Sequence, residues 1–167
     1  MPELSIAPYL ASPMPVVRRM LECAEVKPGE VVYDLGCGDG RIVIMAAQEF
    51  GARGVGVEIR EDLAKKAMDK VAELNLGDRV QIIKGNIFDV DVSEADVVTL
   101  YLTTSANRKI REKLERELKP GARVVSHEYE MPGWKPVKVD IFYENPKYSY
   151  TSHRIYVYKI GVSTKRE

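Results

Sequence analysis

Features that would commit a chain to an extracellular, membrane or nucleic-acid-coating role are scarce in this sequence. Two cysteines in 167 residues, Cys23 and Cys37, are too few for a disulfide framework. A chain of this length needs none, because it can bury roughly 70% of its unfolded surface. There is no Cys-x-x-Cys and no closely spaced histidine pair, so no metal site is expected. Net charge is also lacking: 25 basic residues balance 25 acidic ones, which gives no general field for a phosphate backbone. The longest apolar runs, such as Ile42 to Ala47, fall far short of the ~20 residues that a membrane span requires. The opening segment MPELSIAPYLASPMP has no basic stretch followed by an apolar run, so no signal peptide is expected. The expectation is one cytoplasmic domain over residues 1–167, with residues 1–28 as a lead and first helix, and with a monomer favoured.

Punctuation and periodicity divide the chain. Ser12-Pro13 reads as an N-cap followed by proline at the first helical position, and Val16, Val17, Met20, Leu21 and Ala24 recur at helical spacing. EVVYDLG reads as a buried strand. Arg41 to Phe50 is a helix stopped by Gly51; GVGVE (54–58) is a second strand and Glu61 to Leu76 an amphipathic helix. RVQIIKG (79–85) and ADVVTLYL (95–102) are the third and fourth strands, Asn107 to Leu118 a charged helix, and ARVVSHEY (122–129) the fifth strand. This alternation implies an α/β fold with a mostly parallel sheet covered on both faces. Residues 137–143 and 154–160 are strand-like but too close together for a helical crossover, so they should pair antiparallel at one side of the sheet.

The strongest chemical signal is Asp34-Leu35-Gly36-Cys37-Gly38-Asp39-Gly40, between the first strand and the following helix. Such a loop brings backbone close to a ligand and aims free helix N–H groups at it. Glu58 ends the second strand 22 residues after Gly36, where a carboxylate accepts the hydroxyl hydrogens of a ribose. A dinucleotide fingerprint needs Gly-x-Gly-x-x-Gly; here the third glycine comes one residue early and Arg41 takes the expected place. Asp34 would also repel a pyrophosphate, and no Gly-Lys-Ser/Thr follows to make a phosphate loop. A cationic, phosphate-free adenosyl cofactor fits best, namely S-adenosylmethionine. After the third strand, Asn86 offers a carbonyl to an adenine amine, and Ile87 and Phe88 offer an apolar surface for the ring.

VVYDLGCGDGR, GVGVE, KGNIFDVD and LKPGARVVSHE, in that order, resemble the motifs of class I S-adenosylmethionine-dependent methyltransferases. The lead PYLASPMPVVRRML and the segment RVVSHEYEMPGW further resemble the archaeal broad-specificity protein lysine methyltransferases and the related mitochondrial lysine methyltransferases. The resemblance implies a single Rossmann-like doubly wound sheet of seven strands, mostly parallel with a C-terminal antiparallel hairpin. It implies that Asp34, Gly36 and Gly38 hold the methionine portion, Glu58 the ribose, and Asn86 with Ile87 the adenine. Tyr9 and Ser12 would close over the methionyl end. Asn86 departs from the superfamily's usual Asp, which keeps the acceptor and drops the charge.

The acceptor implied is a lysine amine on protein substrates. Methyl transfer to it needs a neutral nucleophile held in line rather than a strong base. Substrate-side candidates at the ends of the fourth and fifth strands are Tyr101, Thr103 and Glu128, with Thr104 and Ser126 beside them. His127 reads as a satisfied polar residue, and Trp134 as either a groove wall or loop packing. Methylation of RNA is the alternative, but no Asn-Pro-Pro-aromatic signature follows the fourth strand. Methylation of a small molecule, or cofactor binding without turnover, completes the set.

Overall fold

The structure is a computed structural model and describes residues 10–165. Tyr9 lies outside the described residues. Alternating elements build one seven-stranded sheet: α1 (Met14–Cys23), β1 (Val31–Leu35), α2 (Arg41–Phe50), β2 (Arg53–Glu58), α3 (Glu61–Glu73), β3 (Val80–Lys84), β4 (Val97–Leu100), α4 (Thr104–Glu117), β5 (Arg123–His127), β6 (Lys138–Tyr143) and β7 (Ser152–Lys159). The strand order is β3-β2-β1-β4-β5-β7-β6, with β7 inserted antiparallel between β5 and β6. The first five strands are parallel to one another, and the order reverses between β1 and β4, the topological switch point where such sheets bind ligands.

Both faces of the central strands are buried, as a parallel sheet requires. On one face Val16, Val17, Met20 and Leu21 of α1 and Ile42 and Met45 of α2 pack on Val32, Val97, Val125 and Ile155. On the other face Ile110 and Leu114 of α4 pack with Leu35, Val98, Leu100 and Val124. No helix joins β3 to β4; the connecting loop lays Ile87, Val92 and Ala95 into this second core. Two ion pairs lock the first layer. Arg19 of α1 grips Asp140 of β6 through two bonds of 2.8 and 2.9 Å, and Arg123 of β5 reaches Glu30 and the Ala24 carbonyl.

Two expectations need correction. Ser12 does not cap α1: Pro13 holds the cap position without a side-chain bond, and the Ser12 hydroxyl turns to a distant histidine. The helix after β4 begins at Thr104, three residues before Asn107. Thr103 caps it, its side-chain oxygen accepting from the Ala106 N–H at 3.0 Å.

Helix α2 lies so close to β2 that a side chain at Gly54 has no room. A Cβ there would sit 2.7 Å from Val43 Cβ and 3.1 Å from the Val43 carbonyl oxygen. Gly54→Ala should therefore cost roughly 1–3 kcal/mol, read as a lower denaturation midpoint. Gly77→Ala, with nothing near its Cβ, should stay within about 0.5 kcal/mol of the parent.

Candidate functional site

Parallel strands in register turn equivalent residues to the same face. Asp34 on β1 is paired with Thr99 on β4, and Thr99 with Val125 on β5, so Asp34 and Thr99 both point toward the α1/α2 layer. There the Thr99 hydroxyl donates to Asp34 Oδ1 at 2.9 Å. Asp34 is only 4% exposed. Burial raises its pKa first; the Thr99 bond opposes this, and the negative charges of Glu58 and Asp39 add to it, so the carboxyl is pushed up to about 7.

The loop between β1 and α2 runs through three left-handed glycines, Gly36, Gly38 and Gly40. That conformation is open to glycine and strained for other residues. It folds the loop back on β2, so that the Gly36 and Cys37 N–H groups both donate to the Val57 carbonyl, at 2.8 and 2.9 Å. Glu58 completes the clasp: its carboxylate accepts from the Gly38 N–H at 2.8 Å and from the Arg60 N–H at 3.0 Å. Cys37 is buried with its sulfur against Gly56, and burial pushes the thiol up, so it fills space rather than reacting.

Arg41 bonds Asp39 through Nε and Nη2 and donates to the Ser12 carbonyl at 3.1 Å. The lead is thus tied down on the glycine loop. Ser12, Asp34, Gly36, Cys37 and Tyr101 line one recess at the carboxyl ends of β1 and β4.

Of the remaining predicted residues, Tyr101 lines this recess, whereas Asn86, Ile87, Thr103, Glu128 and Trp134 are not part of its lining. Asn86 Oδ1 accepts from the Phe88 N–H at 2.9 Å, an Asx turn that leaves one carbonyl lone pair, and Ile87 is buried in the core beneath. Tyr101 stacks at 4.0 Å on His127, and burial with the neighbouring Tyr129 and Glu128 raises its pKa. Thr103 is engaged by its own helix. Glu128 follows β5 with φ 71°, an uncommon conformation for a non-glycine residue, and its carboxylate lies 3.7 Å from Arg154. Trp134 is buried, its indole N–H bonded to Glu115 at 2.7 Å and its ring edge-on to Tyr158, so it forms core rather than a groove wall.

Thr99, Arg41 and Asn107 are residues of the site that sequence reasoning missed, whereas the sequence reading already has Ser126 as a substrate-side candidate and His127 as a satisfied polar residue. Thr99 and Arg41 hold Asp34 and the lead. Buried Asn107 on α4 donates to the carbonyls of Tyr129 and Glu130, and Ser126 also donates to the Tyr129 carbonyl; together they hold the strained turn at Glu128. The Asn107 carbonyl oxygen is buried without a partner among the described residues. His127 sits between Ser12 and His153, bonded to each at 2.8 Å. A buried polar strand residue that needs two partners is the one signal the sequence offered for this last set.

A clasped glycine loop, a buried acid beside it and a second acid on the next strand end suit a ligand that carries positive charge and hydroxyls. Fold and site together define a methyltransferase of the seven-stranded Rossmann-like class. The chain belongs to the ANTKMT methyltransferase domain family, whose pattern matches residues 34–138. It is 49% identical over 155 residues to a protein-lysine N-methyltransferase of Saccharolobus islandicus, covering 92% of this chain and 94% of that one. It is 33% identical to the mouse adenine nucleotide translocase lysine N-methyltransferase over 79% of this chain, and spans 57% of that protein's length. Its fold also matches, with TM-score 0.82 and 46% identity over 90% of this chain and 94% of the other, a Salinibacter ruber structure described as an RNA methyltransferase in complex with S-adenosyl-L-homocysteine.

The raised Asp34 pKa has a stability consequence. An acid that holds its proton more tightly in the folded state stabilises the fold fully below about pH 4, and this contribution is lost as pH rises through about 7. Asp34→Asn should therefore stabilise the cofactor-free protein at pH 8 by roughly 1–4 kcal/mol, and the gain should vanish toward pH 4 in thermal melts.

Proposed function

We propose that this methyltransferase transfers methyl groups from S-adenosylmethionine to lysine amines of proteins, with broad specificity. The observation that carries the cofactor reading is the buried Asp34 carboxyl beside a clasped glycine loop. Such an acid is costly in isolation and is relieved by a cation, whereas a pyrophosphate would raise the cost. When bound, the cofactor supplies an electrophilic methyl group on a positively charged sulfur.

In this reading Asp34, Gly36 and Gly38 hold the methionine portion, Glu58 the ribose hydroxyls, and Asn86 and Ile87 the adenine. Ser12, with Tyr9 ahead of it, closes the methionyl end, and the Arg41 bond to the Ser12 carbonyl keeps that cover in place. Tyr101 and Glu128 stand on the substrate side. Glu128 attracts the ammonium form of a lysine, and Tyr101 lines the path to the methyl group. Thr103 contributes through the start of α4. Holding a desolvated amine in line with the methyl group supplies roughly 7–11 kcal/mol of barrier lowering without a strong base.

The protein-lysine reading draws its support from the Saccharolobus relative, which matches along nearly the full length of both chains. RNA is the second reading, favoured by the description of the Salinibacter structure. The zero net charge weighs against it. A cytoplasmic working place belongs to the same proposal, as does action by a single chain; two free buried cysteines suit a reducing compartment. None of the described helices is long and apolar enough to cross a membrane.

Two measurements test the proposal. Incubation with cofactor labelled on the methyl group and separate pools of denatured protein, RNA and small metabolites should label lysines in the protein pool. Label confined to RNA or metabolites would sink the lysine assignment. In calorimetric titrations, cofactor affinity should fall as pH is lowered below about 7, approaching tenfold per pH unit, because a cation binds the ionised form of Asp34. A flat profile between pH 6 and 8 would separate Asp34 from the cofactor's charge.

A further inference from the structure

The two histidines of the chain lie in one line of hydrogen bonds. Ser12 Oγ is 2.8 Å from His127 Nδ1, His127 Nε2 is 2.8 Å from His153 Nδ1, and His153 Nε2 is 2.6 Å from Glu144 Oε1. One end of this line is the recess that Ser12 shares with Asp34 and Tyr101. The other is the exposed end of β6, where the Glu144 side chain is 39% accessible. His127, between them, is wholly buried. We propose that Ser12, His127, His153 and Glu144 conduct to solvent the proton shed by the acceptor lysine, an inference that rests on the lysine reading above.

The chemistry requires such an exit. A lysine arrives at neutral pH mostly as an ammonium, and its nitrogen has no lone pair until one proton leaves. The freed amine then forms the new C–N bond while the C–S bond of the sulfonium breaks, its electron pair returning to sulfur. The product is a methylated ammonium, so each methyl group transferred releases one proton, and each further methylation of the same side chain must release another.

The chain moves that proton without building up charge inside. Ser12 Oγ takes it from the ammonium and gives its own to His127 Nδ1. His127 passes its Nε2 proton to His153 Nδ1, and His153 passes its Nε2 proton to the Glu144 carboxylate, which yields it to water. The starting tautomers are restored between turnovers, when water fills the recess. Glu144 returns a proton from solvent to His153 Nε2, His153 Nδ1 gives its own to His127 Nε2, and His127 Nδ1 gives its own through Ser12 to that water, so the net result is one proton released to solvent. A neutral ring that donates at one nitrogen and accepts at the other is what each step needs. Burial and the neighbouring His153 hold the His127 pKa down to about 4, which keeps that ring neutral.

Strand register explains how the line is built. His127 lies opposite Ile155, so His153, two residues earlier on β7, is its diagonal neighbour on the same face, and Tyr101 is stacked against its ring. Among the described residues, the other charged or titratable groups around the two rings are Tyr101 after β4, Glu128 and Tyr129 after β5 and Arg154 on β7, with the Arg19–Asp140 pair of α1 and β6 further along that face. The 2.8 Å between the facing ring nitrogens is the separation of two groups sharing a proton. Glu128 groups with the two rings closely enough to bring a metal ion to mind, but two nitrogens on one tetrahedral ion stand about 3.3 Å apart.

His127, His153 and Glu144 are positioning and relay residues, so the test needs a readout that a structural role would not move. In His153→Asn and Glu144→Gln, single-turnover methylation of a protein substrate at pH 7 should fall roughly tenfold or more, with cofactor affinity unchanged. The loss should shrink as pH rises toward 10, where the lysine arrives already deprotonated, so the pH–rate profiles converge on the parent. Independently of turnover, nitrogen NMR of the His127 imidazole in the cofactor-free protein should find it neutral at pH 7.5 with the proton on Nε2. A loss independent of pH, no loss at all, a charged His127, or a proton on His127 Nδ1 would each overturn the chain. So would a rate that depends on added Zn2+ or is abolished by a chelator. Parent enzyme that labels protein lysines while both variants match it at every pH removes the chain alone. Parent enzyme that labels no protein removes the lysine reading, and the chain with it.

Discussion

Burial of polar groups on one face of the sheet governs much of this molecule. The in-register strands β1, β4 and β5 turn Asp34, Thr99 and Val125 toward the layer formed by α1 and α2, and His127 follows two residues further along β5. Water is excluded there, so each polar group needs a protein partner. Thr99 serves Asp34, and Ser12 with His153 serves His127. At the end of β2, backbone N–H groups of Gly38 and Arg60 serve Glu58. The placement of the lead, the shape of the glycine loop and the attachment of β7 all follow from these pairings.

The arrangement trades stability for reactivity. A neutral side chain at position 34 would suit the empty fold better, since burial and two neighbouring acids drive that carboxyl to hold a proton. A cationic ligand reverses the balance, so the cost borne by the empty protein returns as binding energy for a ligand of the right charge. The same logic applies at Glu128, whose left-handed backbone is held by Asn107 and Ser126 from the opposite layer. Strain and unfavourable burial gather at the carboxyl ends of the strands. The opposite ends are locked by ordinary ion pairs such as Arg123 with Glu30.

Much of this was legible from residue order because it is local. Valine-rich runs bounded by glycine are strands whatever lies beside them, and the helix Arg41–Phe50 ends at a left-handed Gly51 as its sequence implies. The spacing of Asp34, the three glycines and Glu58 is a property of one strand–loop–helix–strand unit, so it could be read without knowing the sheet order. Thr103 shows a local signal overlooked: its side-chain oxygen meets an N–H three residues on, which sets the start of α4 earlier than apolar spacing suggested. Trp134 could not be placed from its neighbours, because its partner, Glu115, lies on a different element.

The sequence by itself determined an α/β fold, an antiparallel pair at the end, a glycine loop whose third glycine comes too early for a dinucleotide fingerprint, and the acids beside it. Each depends on contacts among residues close in the chain. Only the tertiary structure decided which side chains share a proton. Ser12 lies 115 residues from His127, and its local pattern advertises a helix cap. Its hydroxyl serves the histidine because Pro13 already takes the cap position and a buried ring nitrogen without a partner would cost about 1–3 kcal/mol. The insertion of β7 between β5 and β6 then places His153 beside that ring, a neighbour that sheet order alone supplies.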